Sequence, residues 1–244
     1  MTGSLVIAGL GPGDAGLVTP EVTAALGRAT DILGYAPYVA RVAPRAGLHL
    51  HPTDNREELA RARSGLEIAA RGGRAVIVSS GDPGVFAMAS AVFEVLEAFP
   101  QWHHVDIRVL PGITAMLAAA ARVGAPLGHD FCAINLSDNL KPWPLIEKRL
   151  RFAAEADFAI AIYNPRSQSR PDALARALDV LKAAGASDRL VVFASAITTS
   201  QERIEVHSLR EASAERADMR TLVIVCNAAT RRVGRWIYAP RQVS

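Results

Sequence analysis

The sequence predicts an α/β fold built as two domains. Short apolar runs alternate with longer amphipathic helical patterns along the whole chain, which is typical of strands covered by helices. Half of the 244 residues are apolar and 21% are charged, which is enough chain for one large or two modest globular domains. Because Gly124-Ala-Pro-Leu-Gly128 interrupts the alternation, we predict one domain of residues 1–124 and a second of residues 125–244.

The first half of the chain is predicted to contain five strands separated by helices. Each predicted strand is a short apolar run that ends at glycine, proline or small polar residues, and each predicted helix has one apolar face. The predicted strands are residues 4–9, 31–34, 49–51, 75–79 and 105–110, and the helices are residues 20–29, 56–71, 85–99 and 114–123.

The second half repeats this pattern with one difference. The predicted strands are residues 131–136, 158–163, 190–194, 203–207 and 221–226, and the helices are residues 144–154 and 171–184. The last three strands follow one another more closely than the others, so we predict a mixed sheet here rather than a purely parallel one.

Composition excludes several classes of function. A formal net charge of +3 is too weak to indicate nucleic-acid binding, although it is compatible with an acidic small molecule. Cys132 and Cys226 are the only cysteines and lack metal-ligand spacing, which predicts a reduced protein without a metal site. No apolar run reaches the roughly 18 residues that cross a bilayer, and the run before Gly9 is too short for a signal peptide. We therefore expect a cytoplasmic protein with neither nucleic-acid nor membrane partners.

The most informative motif is Val78-Ser-Ser-Gly-Asp-Pro-Gly-Val-Phe86, which follows an apolar run. Gly81 would let a ligand approach the backbone closely, Asp82 places a carboxylate there, and Pro83 ends the strand. In open α/β sheets, small molecules bind outside the carboxyl ends of the strands. The motif therefore predicts a binding loop, with an ordinary strand-to-helix turn as the alternative.

A second glycine-rich motif, Gly9-Leu-Gly-Pro-Gly-Asp14, follows the first predicted strand. It differs from a dinucleotide fingerprint because Pro12 lacks an N–H group and the spacing of the glycines does not fit. Asp14 would also repel a phosphate. We predict a loop that faces a ligand without binding phosphate, and a tight structural turn is the alternative.

Polar residues follow three further predicted strands, in Leu110-Pro-Gly-Ile-Thr-Ala115, Ile162-Tyr-Asn-Pro165 and Val225-Cys-Asn227. Thr114 offers a hydroxyl at the start of a predicted helix, where unpaired backbone N–H groups are available. Each of these motifs alone is an ordinary cap or turn. Together the five strand ends predict a binding cleft between the two α/β halves.

Three of these motifs, in this order and spacing, resemble those of the tetrapyrrole methyltransferases. They are Gly9-Leu-Gly-Pro-Gly-Asp14, Ser80-Gly-Asp-Pro83 and Pro111-Gly-Ile-Thr-Ala115. Further strings resemble the branch that methylates C17 of precorrin-3B, and the resemblance covers essentially the whole chain. They include Gly34-Tyr-Ala-Pro-Tyr38, Thr53-Asp-Asn-Arg-Glu57, Gly128-His-Asp-Phe-Cys-Ala-Ile-Asn-Leu-Ser-Asp138 and Tyr163-Asn-Pro165.

The resemblance implies a class III S-adenosylmethionine (SAM) methyltransferase fold, with SAM in a cleft between two α/β domains, usually in a homodimer. The implied activity is SAM-dependent methylation of C17 of precorrin-3B, with ring contraction to precorrin-4 in cobalamin biosynthesis. The implied SAM contacts are Pro12, Ser80, Gly81, Asp82, Val85, Thr114, Ala115, Tyr163, Asn164, Ala194 and Thr221. Pro12 and its loop would also face the tetrapyrrole and the transferred methyl. Many relatives have methionine at the position of Asn164, so the contact there would be polar instead.

The chemistry of this branch requires a general base but no metal ion. SAM carries an activated methyl group, so the protein mainly aligns the donor with the acceptor carbon. Ring contraction needs a general base, because the C20 hydroxyl must lose a proton as the skeleton shifts. His129 and Asp130 are the candidates, with Asp54 and Asp138 behind them, and a structural role for His129 stays open.

The macrocycle carries carboxylates, so basic side chains are expected at its rim. Arg56, Lys141 and Arg166 are the candidates, and each could equally be a solvated surface charge.

Two other functions stay open. One is a neighbouring methyltransferase of the same pathway, including one that acts on the cobalt-containing counterpart of precorrin-3B. The residues after Pro240 contain no cysteine-rich run that could hold an iron–sulfur cluster, which favours the metal-free substrate. The other is a non-catalytic tetrapyrrole-binding module, and three intact loop motifs argue against it.

Overall fold

The computed structural model describes residues 3–242 and divides the chain into two units, the first ending at Thr114 and the second starting at Ala115. The sequence predicts the division at residue 124. The two positions differ by one helix, Ala115–Val123, which belongs to the second unit.

The first unit is built on a five-stranded sheet in the order β3-β2-β4-β1-β5, in which all neighbours are parallel. Because the strands are parallel, all of them end at one edge, which we call the carboxyl edge of the first sheet. The strands are β1 (Ser4–Gly9), β2 (Asp31–Tyr35), β3 (His49–Thr53), β4 (Arg74–Ser79) and β5 (Asp106–Leu110). The helices are α1 (Pro20–Arg28), α2 (Ala36–Val39), α3 (Glu58–Ala70) and α4 (Met88–Ala98).

Both faces of this sheet are buried, which explains why its central strands are continuously apolar. Alternate residues of β1 point to opposite faces. Leu5 and Ile7 belong to the hydrophobic cluster that contains residues of α3 and α4, whereas Val6 and Ala8 belong to the cluster that contains residues of α1. The first unit is therefore a three-layer sandwich of helices around a parallel sheet.

The second unit contains a mixed sheet in the order β10-β9-β11-β8-β7 and a small sheet in the order β12-β13-β6. Its helices are α5 (Ala115–Val123), α6 (Trp143–Glu155) and α7 (Ala173–Ala183). The larger sheet contains β7 (Phe131–Asn135), β8 (Ala159–Tyr163), β9 (Leu190–Ser195), β10 (Arg203–Ser208) and β11 (Thr221–Val225). The smaller sheet contains β6 (Gly124–Ala125), β12 (Arg231–Val233) and β13 (Trp236–Tyr238).

One edge of the larger sheet collects polar residues. Strands β7 and β8 are parallel, so Asn135 and Tyr163 lie side by side where they end. Strand β11 is antiparallel to β8 and β9, so its first residue, Thr221, pairs with Ser195 at the end of β9. We call this side, where β7, β8 and β9 end and β11 begins, the polar edge of the second sheet.

The predicted fold class is confirmed, and so is the mixed sheet of the second unit. Every strand and helix predicted from the sequence is present, with the largest shift at α4, which begins at Met88 rather than at residue 85. The backbone of Phe86 is left-handed, with a φ of 54°, and that of Ala87 is extended. Because neither conformation is helical, α4 cannot begin before Met88. The sequence did not predict α2 or the small sheet. Within residues 3–242, no helix combines the length and the apolar character that crossing a membrane requires.

Candidate active site

Three strand ends of the first unit meet at glycines. A Cβ atom on Gly112 would lie 2.2 Å from the carbonyl oxygen of Gly81, and one on Gly9 would lie 2.6 Å from the same oxygen. Both distances are far shorter than a carbon–oxygen contact allows, so only glycine fits at these positions. The loops that follow β1, β4 and β5 therefore touch through their backbones at the carboxyl edge.

The Asp82 carboxylate joins two of these loops. Its Oδ1 accepts a hydrogen bond from the Gly84 N–H at 2.8 Å, and its Oδ2 accepts one from the Gly112 N–H at 3.0 Å. Two reciprocal backbone bonds join Gly11 and Gly81, which are both left-handed with φ values of 66° and 62°. The partly buried Asp82 carboxylate thus fixes the backbone of both loops.

The segment after β2 holds the loop after β1, and sequence reasoning missed this role. Arg41 donates hydrogen bonds to the carbonyl oxygens of Leu10, Gly11 and Gly13. Burial raises the pKa of Tyr38 above its ordinary value, while the neighbouring Ser80 side chain acts to lower it. The only signal in the sequence was the string from Gly34 to Tyr38, which carried the resemblance without indicating any contact.

A second arginine stabilises the end of β3. Arg61 is buried, with 3% of its surface exposed, and burial lowers the pKa of its guanidinium. It donates to Thr53 Oγ1 at 2.8 Å and to the Asp54 carbonyl oxygen at 2.7 Å. Arg61 therefore fixes the point at which Asp54 and Arg56 leave the carboxyl edge.

At the polar edge of the second sheet, side chains bind one another and the backbone. The Tyr163 hydroxyl accepts a hydrogen bond from the Met116 N–H at 3.1 Å, which ties the end of β8 to the first turn of α5. The Asn164 amide donates to Asn135 Oδ1 at 3.0 Å. The Thr221 hydroxyl lies 2.7 Å from Ser195 Oγ and is buried.

Several residues other than glycine adopt left-handed backbone conformations directly after strand ends. Phe86 lies in the loop after β4, Asn164 follows β8, and Ala196 and Thr198 follow β9, with φ values of 54°, 50°, 47° and 65°. Such conformations cost on the order of 1–3 kcal/mol each and cluster at functional sites. Asp157 is also left-handed, with a φ of 56°, but it precedes β8. No sequence pattern marks these positions, because none of them is glycine.

The structure gathers most predicted cofactor contacts at these two edges. Pro12, Ser80, Gly81, Asp82 and Val85 lie in the loops after β1 and β4, at the carboxyl edge of the first sheet. Thr114 is buried immediately before α5, and Ala115 begins that helix. Tyr163, Asn164 and Thr221 lie at the polar edge of the second sheet. Ala194 was predicted at a strand end, but β9 continues to Ser195, so Ala194 lies within the strand and is fully buried.

The candidate bases lie in different places. The Asp130 carbonyl oxygen accepts a hydrogen bond from the N–H of Ala159, the first residue of β8, so His129 and Asp130 precede β7 at the side opposite the polar edge. His129 Nδ1 lies 3.7 Å from Asp130 Oδ2. Asp138 follows β7 at the polar edge, and Asp54 follows β3 at the carboxyl edge of the first sheet. Within its own unit, the structure does not bring His129 to the predicted cofactor contacts.

Grouping Val225-Cys-Asn227 with the other strand ends was wrong. Strand β11 is antiparallel to β8 and β9, so its end lies at the side opposite the polar edge. There, the Cys226 N–H donates to the Leu190 carbonyl oxygen, and Asn227 Oδ1 accepts a hydrogen bond from the Thr230 hydroxyl at 2.7 Å. Asn227 therefore stabilises a turn.

The three candidate rim cations all lie in loops that follow strands of these two edges. Arg56 follows β3, Lys141 lies between β7 and α6, and Arg166 follows β8. Burial and the neighbouring Arg149 lower the pKa of the Lys141 ammonium.

The fold and its strand-end loops define a class of methyltransferase. Residues 4–213 match the family of Tetrapyrrole (Corrin/Porphyrin) Methylases, and the chain belongs to this family.

Relatives that match along nearly their whole length are C17-methyltransferases. The precorrin-3B C(17)-methyltransferase of a Sinorhizobium species is 50% identical to this chain over 247 residues, covering 99% of this chain and 97% of that protein. The probable cobalt-factor III C(17)-methyltransferase of Salmonella typhimurium is 40% identical and covers 93% of each chain. The crystal structure of the methyltransferase CobJ superimposes with a TM-score of 0.96 at 66% identity, covering 98% of this chain and 100% of that one.

Proposed function

We propose that this protein transfers a methyl group from SAM to C17 of precorrin-3B and contracts the ring to give precorrin-4. The observation that carries the proposal is the 50% identity, over nearly the full length of both chains, to a protein that bears this activity in its name. The chain is 50% identical to the precorrin-3B enzyme but only 40% identical to the probable cobalt-factor III enzyme. This difference favours the metal-free substrate.

The residues at the two edges fit SAM as the methyl donor. SAM supplies a methyl group on a positively charged sulfonium, and its adenosine and amino-acid parts need hydrogen-bonding groups rather than metal ligands. Ser80 offers a hydroxyl group, and the loop up to Val85, in which Gly84 is exposed, offers backbone groups. In the second unit, Tyr163 and Asn164 would supply further contacts.

The protein contributes to methyl transfer chiefly by alignment. Holding two reactants in a productive geometry removes a large part of the barrier, provided that the groups that hold them are rigid. Asp82 supplies that rigidity through two backbone hydrogen bonds, and the contacts between the glycines of the three loops leave little room for movement.

For ring contraction, we propose Asp54 or Asp138 as the base ahead of His129. Both aspartates lie at edges that carry predicted cofactor contacts, whereas His129 lies on the opposite side of its sheet. Single replacements of Asp54, Asp138 and His129 by alanine should separate the two steps. The base variant should accumulate a methylated but uncontracted product, with contraction slowed about 10²–10⁴-fold. If only His129→Ala accumulates this product, His129 is the base.

The choice of substrate is tested with the purified protein. Incubation with SAM and either precorrin-3B or its cobalt-containing counterpart should give a product 14 mass units heavier, as expected for replacement of hydrogen by methyl, from the metal-free compound. Turnover of the cobalt compound alone would favour the alternative, and binding of either compound without methylation would favour a binding module. The homodimer and the cytoplasmic location stay predictions.

A further inference from the structure

The string Gly34-Tyr-Ala-Pro-Tyr38 has no role in the proposed function so far. It covers the end of β2 and most of the short helix α2, and Arg41 follows two residues after that helix ends. Tyr38 of this segment neighbours Ser80 in the loop after β4, and Arg41 contacts the loop of residues 9–14 after β1. The segment therefore holds the loop after β1 and lies beside the loop after β4.

The contacts of Arg41 explain how the loop of residues 9–14 keeps its shape. Arg41 Nη1 donates to the Gly11 carbonyl oxygen at 3.1 Å, while Nη2 donates to the carbonyl oxygens of Leu10 and of Gly13, the latter at 3.2 Å. Three carbonyl dipoles thus point their negative ends at one place, an arrangement that is unfavourable unless a cation lies there. Pro12 lies between two of the three residues bound in this way.

We propose that Arg41 is a positioning residue for methyl transfer, because it holds the loop of residues 9–14 so that Pro12 is correctly placed against the methyl acceptor. The inference rests on the proposed function and on the family resemblance, which implies that this loop faces the tetrapyrrole and the transferred methyl group. Arg41 acts through the loop and need not touch either reactant.

The shape of the side chain matters as well as its charge. A planar guanidinium presents several donors in fixed directions, whereas a lysine ammonium is a compact point charge at the end of a flexible stem. Lysine at this position would keep the cation but could not direct hydrogen bonds to all three carbonyl groups at once. We therefore expect Arg41→Lys to be intermediate between the wild type and Arg41→Gln.

Arg45 provides a matched control. Its Nη2 also donates to backbone carbonyl oxygens, those of Leu26 at 2.9 Å and Ala29 at 2.7 Å, but these lie at the C-terminal end of α1, on the side where β2 begins. Arg45→Gln thus removes a guanidinium with the same kind of acceptors from the opposite side of the same sheet.

The experiment compares Arg41→Gln, Arg41→Lys and Arg45→Gln with the wild type in three measurements. Hydrogen exchange, resolved by peptide, reports on the amides of Leu10 and Gly11, which bind the carbonyl oxygens of Ser79 and Gly81. Calorimetry gives the affinity for SAM, and steady-state kinetics with precorrin-3B at saturating SAM give kcat and KM. In Arg41→Gln we expect exchange at least about tenfold faster in this loop, and a kcat about 10²-fold lower, the loss that a small misplacement of reacting groups produces. SAM affinity should change by less than about threefold, and Arg45→Gln should match the wild type in the loop and in kcat.

The outcomes separate this inference from the proposed function. If the wild type does not methylate precorrin-3B, the proposed function fails, while hydrogen exchange still tells whether Arg41 holds the loop. If the wild type is active, an Arg41→Gln variant with unchanged kcat overturns the inference, whatever its exchange rates. Equal losses in Arg41→Gln and Arg45→Gln would also overturn it, because they would show a general loss of stability. If Arg41→Gln does not fold, Arg41→Lys is compared with Arg45→Gln by the same criteria.

Discussion

Charged side chains at the carboxyl edge of the first sheet form hydrogen bonds to the neighbouring loops. Asp82, Arg41 and Arg61 all direct their charged groups at N–H, carbonyl or hydroxyl groups of neighbouring loops. Hydrogen bonds to charged groups contribute roughly twice as much to stability as neutral ones. At this scale, the site is a set of glycine-containing loops whose shape is fixed by charged residues behind them.

Replacing Asp82 should weaken SAM binding by about 1–3 kcal/mol, the range for loss of a charge-assisted hydrogen bond. In Asp82→Ala, the N–H groups of Gly84 and Gly112 lose their acceptor, so binding must first reorder both loops. Asp82→Asn keeps one acceptor oxygen and should lose less. Calorimetric titration measures the effect, and Asp106→Ala, which removes an exposed carboxylate at the start of β5, is the control. Unchanged SAM affinity in a folded Asp82→Ala protein would contradict this role.

The thiol of Cys226 should be unreactive in the folded protein. Burial raises its pKa to about 12, and none of its surface is exposed. Well below pH 9, the thiol is protonated in both the folded and the unfolded chain. Between pH 9 and 12, only the unfolded chain loses the proton, so this group lowers the free energy of unfolding as the pH rises.

Alkylation at pH 8.5 followed by peptide mass spectrometry tests this prediction. The partly exposed Cys132 should be modified first, although burial raises its pKa too. In urea, both cysteines should react at similar rates. Modification of Cys226 in the folded protein as fast as that of Cys132 would contradict the prediction and show that the segment directly after β11 opens readily.

At the scale of elements, strand ends and their order create both edges. The parallel order β3-β2-β4-β1-β5 brings the loops after β1, β4 and β5 together, because these three strands are neighbours. These loops pack closely because Gly9, Gly81 and Gly112 lie where they meet and have no side chains to keep them apart.

Gly112→Ala should destabilise the first unit by about 1–3 kcal/mol, the usual cost of forcing extra volume into a packed site. The added methyl group would meet the Gly81 carbonyl oxygen at 2.2 Å, and backbone cannot move aside as a flexible side chain can. Gly27→Ala is the matched control, because nothing lies within 4 Å of its Cβ position and alanine favours α1. Urea unfolding should show a loss for the first variant and no loss for the second. Equal stability of the two variants would mean that the loops after β1, β4 and β5 are not tightly packed.

The sequence predicted elements better than it predicted the arrangement of side chains. Apolar runs such as residues 75–79 indicate buried strands, because a strand that is buried on both faces consists mainly of apolar residues. Strand direction is not visible in such a run, which is why Asn227 was assigned to the wrong side of its sheet. Arg41 was missed because its partners are carbonyl groups, which every residue has. Asn164 was predicted as a contact from its side chain, and nothing in the sequence indicated its left-handed backbone conformation.

At the scale of the whole molecule, we predict a homodimer. The family resemblance implies it, and large apolar side chains such as Leu59, at 55% exposure, and Val233, at 59%, leave apolar surface for an interface. Sedimentation should give roughly twice the chain mass of 26.0 kDa at micromolar concentration. A stable interface of this kind buries at least about 1,200 Å². A monomer whose mass does not change with concentration would contradict the prediction.

The most direct test of the proposed function follows the transferred methyl group itself. The purified protein is incubated with metal-free precorrin-3B and SAM that carries a ¹³C-labelled methyl group, and the product is examined by NMR. We predict one labelled methyl group on C17 of a contracted ring. A label on any other ring carbon, or no transfer to precorrin-3B under conditions in which SAM binds, would contradict the account.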